Sequence, residues 1–159
     1  MIKVGDALPT LTMAEATPDG PKQVSTADLF TGHKVVLFAV PGAFTPTCSA
    51  RHLPGYTDNV AAFKDKGVDR VVCMAVNDPF VMRAWAKDQN VGDEMVMLAD
   101  GSAHFTRALG MELDLSARGL GIRSQRFALV AENGVVTHLA VEAPGEFDVS
   151  AAESVLAVL

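Results

Sequence analysis

The chain has little cysteine, little positive charge and no long apolar run. Its 159 residues include two cysteines, Cys48 and Cys73, too few for the disulfide framework that holds small secreted domains together. Free thiols suit a reducing compartment, so we expect a cytoplasmic protein. The formal net charge is −6, and no cluster of Lys and Arg offers a basic face, so we expect no nucleic-acid partner.

Segments that direct a chain to a membrane are also missing from the pattern. Met1–Asp6 lacks the apolar stretch of a signal peptide, and the uncharged apolar runs are far shorter than the roughly 20 residues of a membrane span. We therefore expect no membrane association. Nearly half of the residues are hydrophobic (49%), and no repeat or linker interrupts them, which predicts a single globular domain over residues 1–159.

Several apolar runs predict the strands of a sheet. Val35–Val40 and Val71–Val76 are continuous rather than alternating, which is typical of strands covered on both faces. Met95–Ala99 and Phe127–Ala131 show the same pattern more weakly. A Glu-Asn-Gly turn predicts a hairpin that pairs Phe127–Ala131 with Val135–Val141.

Helices are predicted between these runs and at the end of the chain. The expected segments are Tyr56–Lys66 before Gly67, a helix opened by Asn77-Asp78-Pro79 and running to about Gln89, Ser102–Leu109 before Gly110, and Ala151–Leu159 capped by Ser150. Alternating strands and helices with a late hairpin predict an α/β fold, a central mixed β-sheet flanked by helices. The thioredoxin-like architecture is one member of that class.

One segment, PGAFTPTCSARHLPG (residues 41–55), places a thiol just after a predicted strand. Thr45 followed by Pro46 predicts a helix N-cap with proline at the first position, so that Cys48 falls in the first helical turn. Unpaired N–H groups and the helix dipole favour a thiolate there. Local context alone leaves a second interpretation open, in which Cys48 is a small buried apolar residue.

The residue pattern of this segment resembles that of a known family. The pattern Pro41-x-x-x-Thr45-x-x-Cys48 resembles the peroxiredoxin active site, and PGAFTPTCSARHLPGY resembles the atypical type-II (type-five) branch. VNDPFVMRAWAKDQN and GIRSQRFALVAENGVV resemble later segments of that branch. The resemblance implies a thioredoxin-like fold and thiol-dependent reduction of hydrogen peroxide and alkyl hydroperoxides, without a cofactor.

The resemblance also assigns roles to residues. Cys48 matches the peroxidatic cysteine, which becomes a sulfenic acid, and Thr45 matches the threonine that hydrogen-bonds the thiolate and the peroxide. Pro41 matches the proline that shields the thiolate from water. Arg126 matches the arginine that favours the thiolate and orients the peroxide oxygens. Arg123 is a second candidate, but Arg126 stands directly before the strand, as the family pattern requires.

The second cysteine has two interpretations. Cys73 lies inside a predicted buried strand and is then a small core residue. It also lies 25 residues after Cys48, the separation at which plant and bacterial members of the resembled branch carry a second cysteine that can act as resolving thiol. A bridge would require the start of the helix to unwind. Animal members carry a resolving cysteine near the C-terminus, where PGEFDVSAAESVL has none, so an external thiol, glutathione with glutaredoxin, is favoured as reductant over thioredoxin.

Two other functions use the same cysteine. One is a peroxide sensor or redox-switched chaperone without turnover. The other is a cysteine hydrolase with His52, four residues after Cys48, as its base. No histidine pair has metal-ligand spacing, so we expect no metal. The resemblance further implies a homodimer, with Phe44, Pro79 and Phe80 near its interface.

Overall fold

Seven of the nine strands form one mixed sheet in the computed structural model, which describes residues 1–159. In chain order they are β1 Thr12–Thr17, β2 Gly20–Ser25, β3 Lys34–Val40, β4 Arg70–Ala75, β5 Val96–Ala99, β8 Phe127–Glu132 and β9 Val135–Val141; β6 Glu112–Leu115 and β7 Gly121–Ser124 make a separate hairpin. The order across the sheet is β2-β1-β5-β4-β3-β8-β9. Strands β3, β4 and β5 are parallel, and their other neighbours are antiparallel, so the predicted mixed sheet is confirmed.

Six short α-helices accompany the sheet. They are α1 Thr26–Phe30, α2 Leu53–Asp58, α3 Val60–Asp65, α4 Pro79–Asp88, α5 His104–Ala108 and α6 Ala152–Leu156, with a π-helical turn at Cys48–His52 and a 3₁₀ turn at Ser116–Arg118. None of these helices has both the length and the apolar character needed to cross a membrane.

Strand β3 separates two apolar cores. Val36, Phe38 and Val40 face the core that includes Trp85 of α4, and the alternate residues Val35, Leu37 and Ala39 face the core that includes Phe105 of α5. Because successive side chains of a strand point to opposite faces, a strand covered on both sides has an unbroken apolar sequence. For this reason the sequence of β3 after Lys34 is one continuous apolar run.

The helix predicted over Tyr56–Lys66 is wrong in its limits. The structure has two helices there, α2 and α3, separated at Asn59, whose φ of −113° and ψ of 9° leave the helical region. The Asn59 side chain donates to the Gly55 carbonyl at 2.7 Å, and this local bond competes with the helical backbone. The helix also starts earlier than predicted, at Leu53.

The C-terminal prediction is wrong in a different way. Helix α6 is shorter than Ala151–Leu159, and the Ser150 side chain does not cap it. The Ser150 hydroxyl donates instead to the Glu142 carboxylate at 2.6 Å. By contrast, the predicted cap of α4 is confirmed, since Asp78 Oδ1 accepts the Val81 N–H at 2.8 Å. Strands β1 and β2, helix α1 and the β6–β7 hairpin had no sequence prediction.

Candidate active site

Cys48 is held in a helical turn beyond the carboxyl end of β3. The helix begins at Pro46, and the Leu53 N–H bonds back to the Cys48 carbonyl, five residues earlier, which makes the turn a π-helix. Pro54 has no N–H with which to continue an α-helical pattern, so it widens the helix rather than ending it. The Trp85 indole N–H donates to Ser49 Oγ at 3.0 Å and ties the turn to α4.

Arg126 reaches Cys48 because two antiparallel strands place it there. It directly precedes β8, where Phe127 pairs with Ala39 at the end of β3. Its Nη2 donates to Cys48 Sγ at 3.2 Å, and this places a permanent positive charge beside the sulfur. Arg123 lies beside Gly42 but makes no hydrogen bond to Cys48: its guanidinium donates to the carbonyls of Leu120 at 2.8 Å and Val76 at 3.2 Å.

His52 supports Arg126 rather than Cys48. Arg126 Nη1 lies 2.9 Å from His52 Nδ1, and His52 Nε2 lies 3.1 Å from the Ser150 carbonyl. Burial, together with the charge of Arg126, lowers the pKa of His52 to about 3, so the ring is neutral near neutral pH. A carbonyl partner requires the proton on Nε2, which leaves Nδ1 to accept from the guanidinium. Both ring nitrogens are therefore occupied, which leaves neither to serve as the base of a hydrolase.

Thr45 and Pro41 lie on the wall of a cleft that Arg126 also lines. The cleft has a volume of about 720 Å³, and its other wall includes leucines of the β6–β7 hairpin region. Thr45 stands just before the helix that begins at Pro46, as predicted, and its carbonyl accepts the Ser49 N–H at 3.0 Å. Its hydroxyl donates to the Gly42 carbonyl at 2.7 Å and caps no helical N–H. The turn that brings these two groups together also puts Phe44 at a φ of +66°, in the left-handed region.

A buried carboxylate near the site was missed by the sequence analysis. Glu142 accepts the backbone N–H groups of Asp148, Val149 and Ser150 at 2.7, 3.3 and 2.8 Å, in addition to the Ser150 hydroxyl. Burial acts to raise the pKa of Glu142, but these hydrogen bonds outweigh it and lower the pKa below its usual range. The only signal in the sequence was one acidic residue at the end of an apolar strand, which is also common at exposed strand ends.

Cys73 occupies the middle of the sheet. It pairs in register with Phe38 of β3 and Met97 of β5, and its side chain is fully buried. Burial, and to a smaller extent Cys48, raises the pKa of the Cys73 thiol well above its ordinary value. Both cysteines are free thiols.

A helical-turn cysteine beside an arginine, at the edge of a mixed sheet, points to thiol-based redox proteins. The model of the Redoxin family matches residues 3–156. Peroxiredoxin-2C of Oryza sativa subsp. japonica is 50% identical to the chain, with 99% of the chain and 98% of the relative covered. The chloroplastic peroxiredoxin-2E-2 of the same plant is 51% identical, over 99% of the chain and 72% of the relative.

Solved structures agree with these relatives. The crystal structure of reduced Prx3 from Vibrio vulnificus in complex with H2O2 matches with a TM-score of 0.94 and 53% identity, covering 99% of both chains. Peroxiredoxin 5 from Alvinella pompejana matches with a TM-score of 0.86 and 38% identity, over 99% of the chain and 97% of that structure. The chain belongs to the peroxiredoxins, in their type-II and type-five branch, and is a thiol-dependent peroxidase with the thioredoxin-like fold.

Proposed function

We propose that Cys48 is the peroxidatic residue and that it reduces hydrogen peroxide and small alkyl hydroperoxides. The observation that carries this proposal is the 3.2 Å contact between Arg126 Nη2 and Cys48 Sγ. In the reaction the sulfur attacks one peroxide oxygen and the O–O bond breaks. The sulfur is oxidised to a sulfenic acid, and the departing hydroxide or alkoxide takes up a proton to leave as water or an alcohol.

Arg126, Thr45 and Pro41 assist this step. The guanidinium is charged at all relevant pH values, so it stabilises the thiolate and the negative charge that develops on the leaving oxygen. Thr45 and Pro41 line the same cleft, where the threonine hydroxyl can turn from Gly42 to donate to a bound peroxide. The H2O2 held by the Vibrio vulnificus relative supports this substrate class.

We further propose that an external thiol reduces the sulfenic acid. Cys73 is a poor resolving thiol because its position in a central strand keeps it buried and raises its pKa. Glutathione attacks the sulfenic sulfur, forms a mixed disulfide and releases water. The glutaredoxin thiol then takes over the glutathionyl group and frees the Cys48 thiol, and a second glutathione removes that group from glutaredoxin as glutathione disulfide; thioredoxin is the alternative reductant.

The proposal places the enzyme in the cytoplasm as a homodimer. Two exposed phenylalanines support an interface, Phe44 at 52% exposure and Phe80 at 72%. Their segments are joined by a hydrogen bond from the Ala43 N–H to Asn77 Oδ1 at 2.9 Å, so both rings belong to neighbouring surface.

Intact mass after one equivalent of peroxide, with and without glutathione, tests the route. We expect the gain of one glutathione per chain, retained in Cys73→Ser and absent from Cys48→Ser. A loss of two hydrogens would instead show a Cys48–Cys73 disulfide and contradict external resolution. Steady turnover of peroxide with glutathione and glutaredoxin, or with thioredoxin, distinguishes the peroxidase from a sensor or redox-switched chaperone, which is oxidised once and stops.

A further inference from the structure

We propose that Glu142 is a positioning residue that holds Arg126 in place through the Ser150 carbonyl and His52. The inference rests on the roles proposed above for Cys48 and Arg126, and it extends them to a carboxylate that touches neither. Three consecutive hydrogen-bonded links carry it. Each link joins groups that are buried or partly buried.

The first link fixes the backbone of residues 148–150. One carboxylate oxygen of Glu142, Oε2, accepts from the Asp148 N–H, the Ser150 N–H and the Ser150 hydroxyl at 2.7, 2.8 and 2.6 Å. Oε1 accepts the Val149 N–H at 3.3 Å. The Glu142 N–H in turn donates to the Arg126 carbonyl at 3.0 Å, so the carboxylate is anchored next to the residue it serves.

The second link runs from the Ser150 carbonyl to His52. That oxygen accepts two buried donors, His52 Nε2 at 3.1 Å and the Tyr56 hydroxyl at 2.7 Å. With its N–H and its hydroxyl bound to Glu142, Ser150 has little freedom to turn its carbonyl away. The direction of the carbonyl sets both the tautomer and the plane of the imidazole.

The third link runs from His52 to the guanidinium. Nδ1 of the neutral ring accepts from Arg126 Nη1 at 2.9 Å, which leaves Nη2 directed at Cys48 Sγ. The Phe147 ring, on the loop that Glu142 fixes, lies 4.9 Å from the His52 ring and 5.9 Å from the guanidinium carbon. Releasing the loop would therefore disturb both the hydrogen bond and the packing that orient Arg126.

The chain contains a matched control for a purely structural carboxylate. Asp100 is also buried, and one of its oxygens accepts both the N–H and the hydroxyl of a single residue, Thr106, at 2.8 and 2.7 Å. Its other oxygen accepts the Phe105 N–H at 3.2 Å. Asp100 thus makes the same kind of cap as Glu142, but its partners in α5 have no hydrogen bond to His52 or Arg126.

The experiment compares Glu142→Ala with Asp100→Ala in the full chain. Two quantities are measured: the second-order rate of Cys48 oxidation by hydrogen peroxide, and the midpoint pH for alkylation of Cys48 by iodoacetamide. Because a misplacement of about 1 Å can cost about 100-fold in rate, we expect Glu142→Ala to slow oxidation by about tenfold or more and to move the midpoint upward. Asp100→Ala should lower the melting temperature but leave both quantities at wild-type values.

Glu142→Gln provides a rescue, since an amide oxygen in the place of Oε2 keeps three of the four hydrogen bonds. We expect it to recover most of the rate. Equal effects of Glu142→Ala and Asp100→Ala, or no effect of either, would overturn the proposal. If Glu142→Ala does not fold, Glu142→Asp, which withdraws the carboxylate by one methylene, decides by the same two measurements.

The route through His52 is tested by a double variant. If Glu142 acts through His52, Glu142→Ala combined with His52→Ala should be no slower than His52→Ala alone. Slowing by the product of the two single effects would overturn the route. Failure of the wild-type Cys48 to react with peroxide would instead contradict the proposed function, and the alkylation midpoint would still decide the role of Glu142.

Discussion

Cys48 and Cys73 belong to one apolar core cluster, and neither side chain is exposed. Cys73 has strands on both sides of it and no cation as a hydrogen-bond partner, so burial, with a smaller contribution from Cys48, raises the pKa of its thiol. Cys48 lies in the turn that follows the neighbouring strand, β3, and there Arg126 donates a hydrogen bond to its sulfur.

Burial therefore does not distinguish the proposed peroxidatic cysteine from the cysteine in the middle of the sheet. Their positions along the strands distinguish them. Side chains from distant parts of the chain meet beyond the carboxyl ends of the strands, whereas a residue in the middle of the sheet contacts only the neighbouring strands and the side chains packed on its faces. A nearby positive charge favours a thiolate, and of the two cysteines only Cys48 has such a charge, that of Arg126, as a hydrogen-bond partner.

The largest expected effect comes from substituting the two cysteines one at a time. Cys48→Ser should abolish peroxide reduction, whereas Cys73→Ala should leave the rate close to that of the wild type. The measurement is peroxide consumption with excess dithiothreitol as reductant. A Cys73→Ala variant as inactive as Cys48→Ser, while still folded by circular dichroism, would remove the distinction between the two residues.

The second effect separates the two arginines. Arg126→Gln should slow oxidation of Cys48 by about 100- to 1,000-fold, since the removal of one preorganised donor to a developing anion costs about that much. Arg123→Lys is the control, because Arg123 binds only backbone carbonyls. Stopped-flow rates with hydrogen peroxide measure both, and comparable losses in the two variants would argue against the specific role of Arg126.

The third effect concerns stability in acid. The folded pKa of His52, about 3, lies below the ordinary histidine value of 6.5, so between these values the unfolded chain binds a proton that the folded chain does not. The free energy of unfolding should therefore fall as the pH falls through this window, by up to about 1.4 kcal/mol per pH unit from His52.

Urea unfolding of the wild type and of His52→Asn measures this contribution. Asparagine does not titrate and keeps an acceptor toward Arg126, so the variant should lose less stability in acid. Parallel pH dependences for the two proteins would show that His52 is not the group responsible.

The smallest effect belongs to Cys73 as a packing residue. Cys73→Ala removes one heavy atom from a fully buried site, so the free energy of unfolding should drop by about 1 kcal/mol. Denaturation followed by circular dichroism gives the value. Stability equal to or above that of the wild type would mean that the sulfur does not fill its space well.

Much of the fold could be predicted from local sequence, and the predictions that were wrong have physical reasons. Strands β3 and β4 were predictable because they are buried on both faces and so are almost entirely apolar. The break at Asn59 was missed because it depends on one side chain bonding to a carbonyl four residues back, which no periodicity reveals.

The candidate site shows the same division. Cys48, Thr45 and Pro41 stand in one short motif, and Arg126 was selected by its position before a strand. Glu142 and the role of His52 could not be predicted, because their function depends on tertiary contacts with Ser150 that span 8 and 98 residues of sequence.

The distance along the chain between Cys48 and Arg126, 78 residues, has a consequence for biosynthesis. A nascent chain carries its cysteine long before β8 has been translated, and until β8 pairs with β3 no guanidinium stands beside the sulfur. With Cys48 in its proposed peroxidatic role, the pairing of β8 with β3 completes the site, so a polypeptide still emerging from the ribosome carries the cysteine without the arginine that favours its reaction with peroxide.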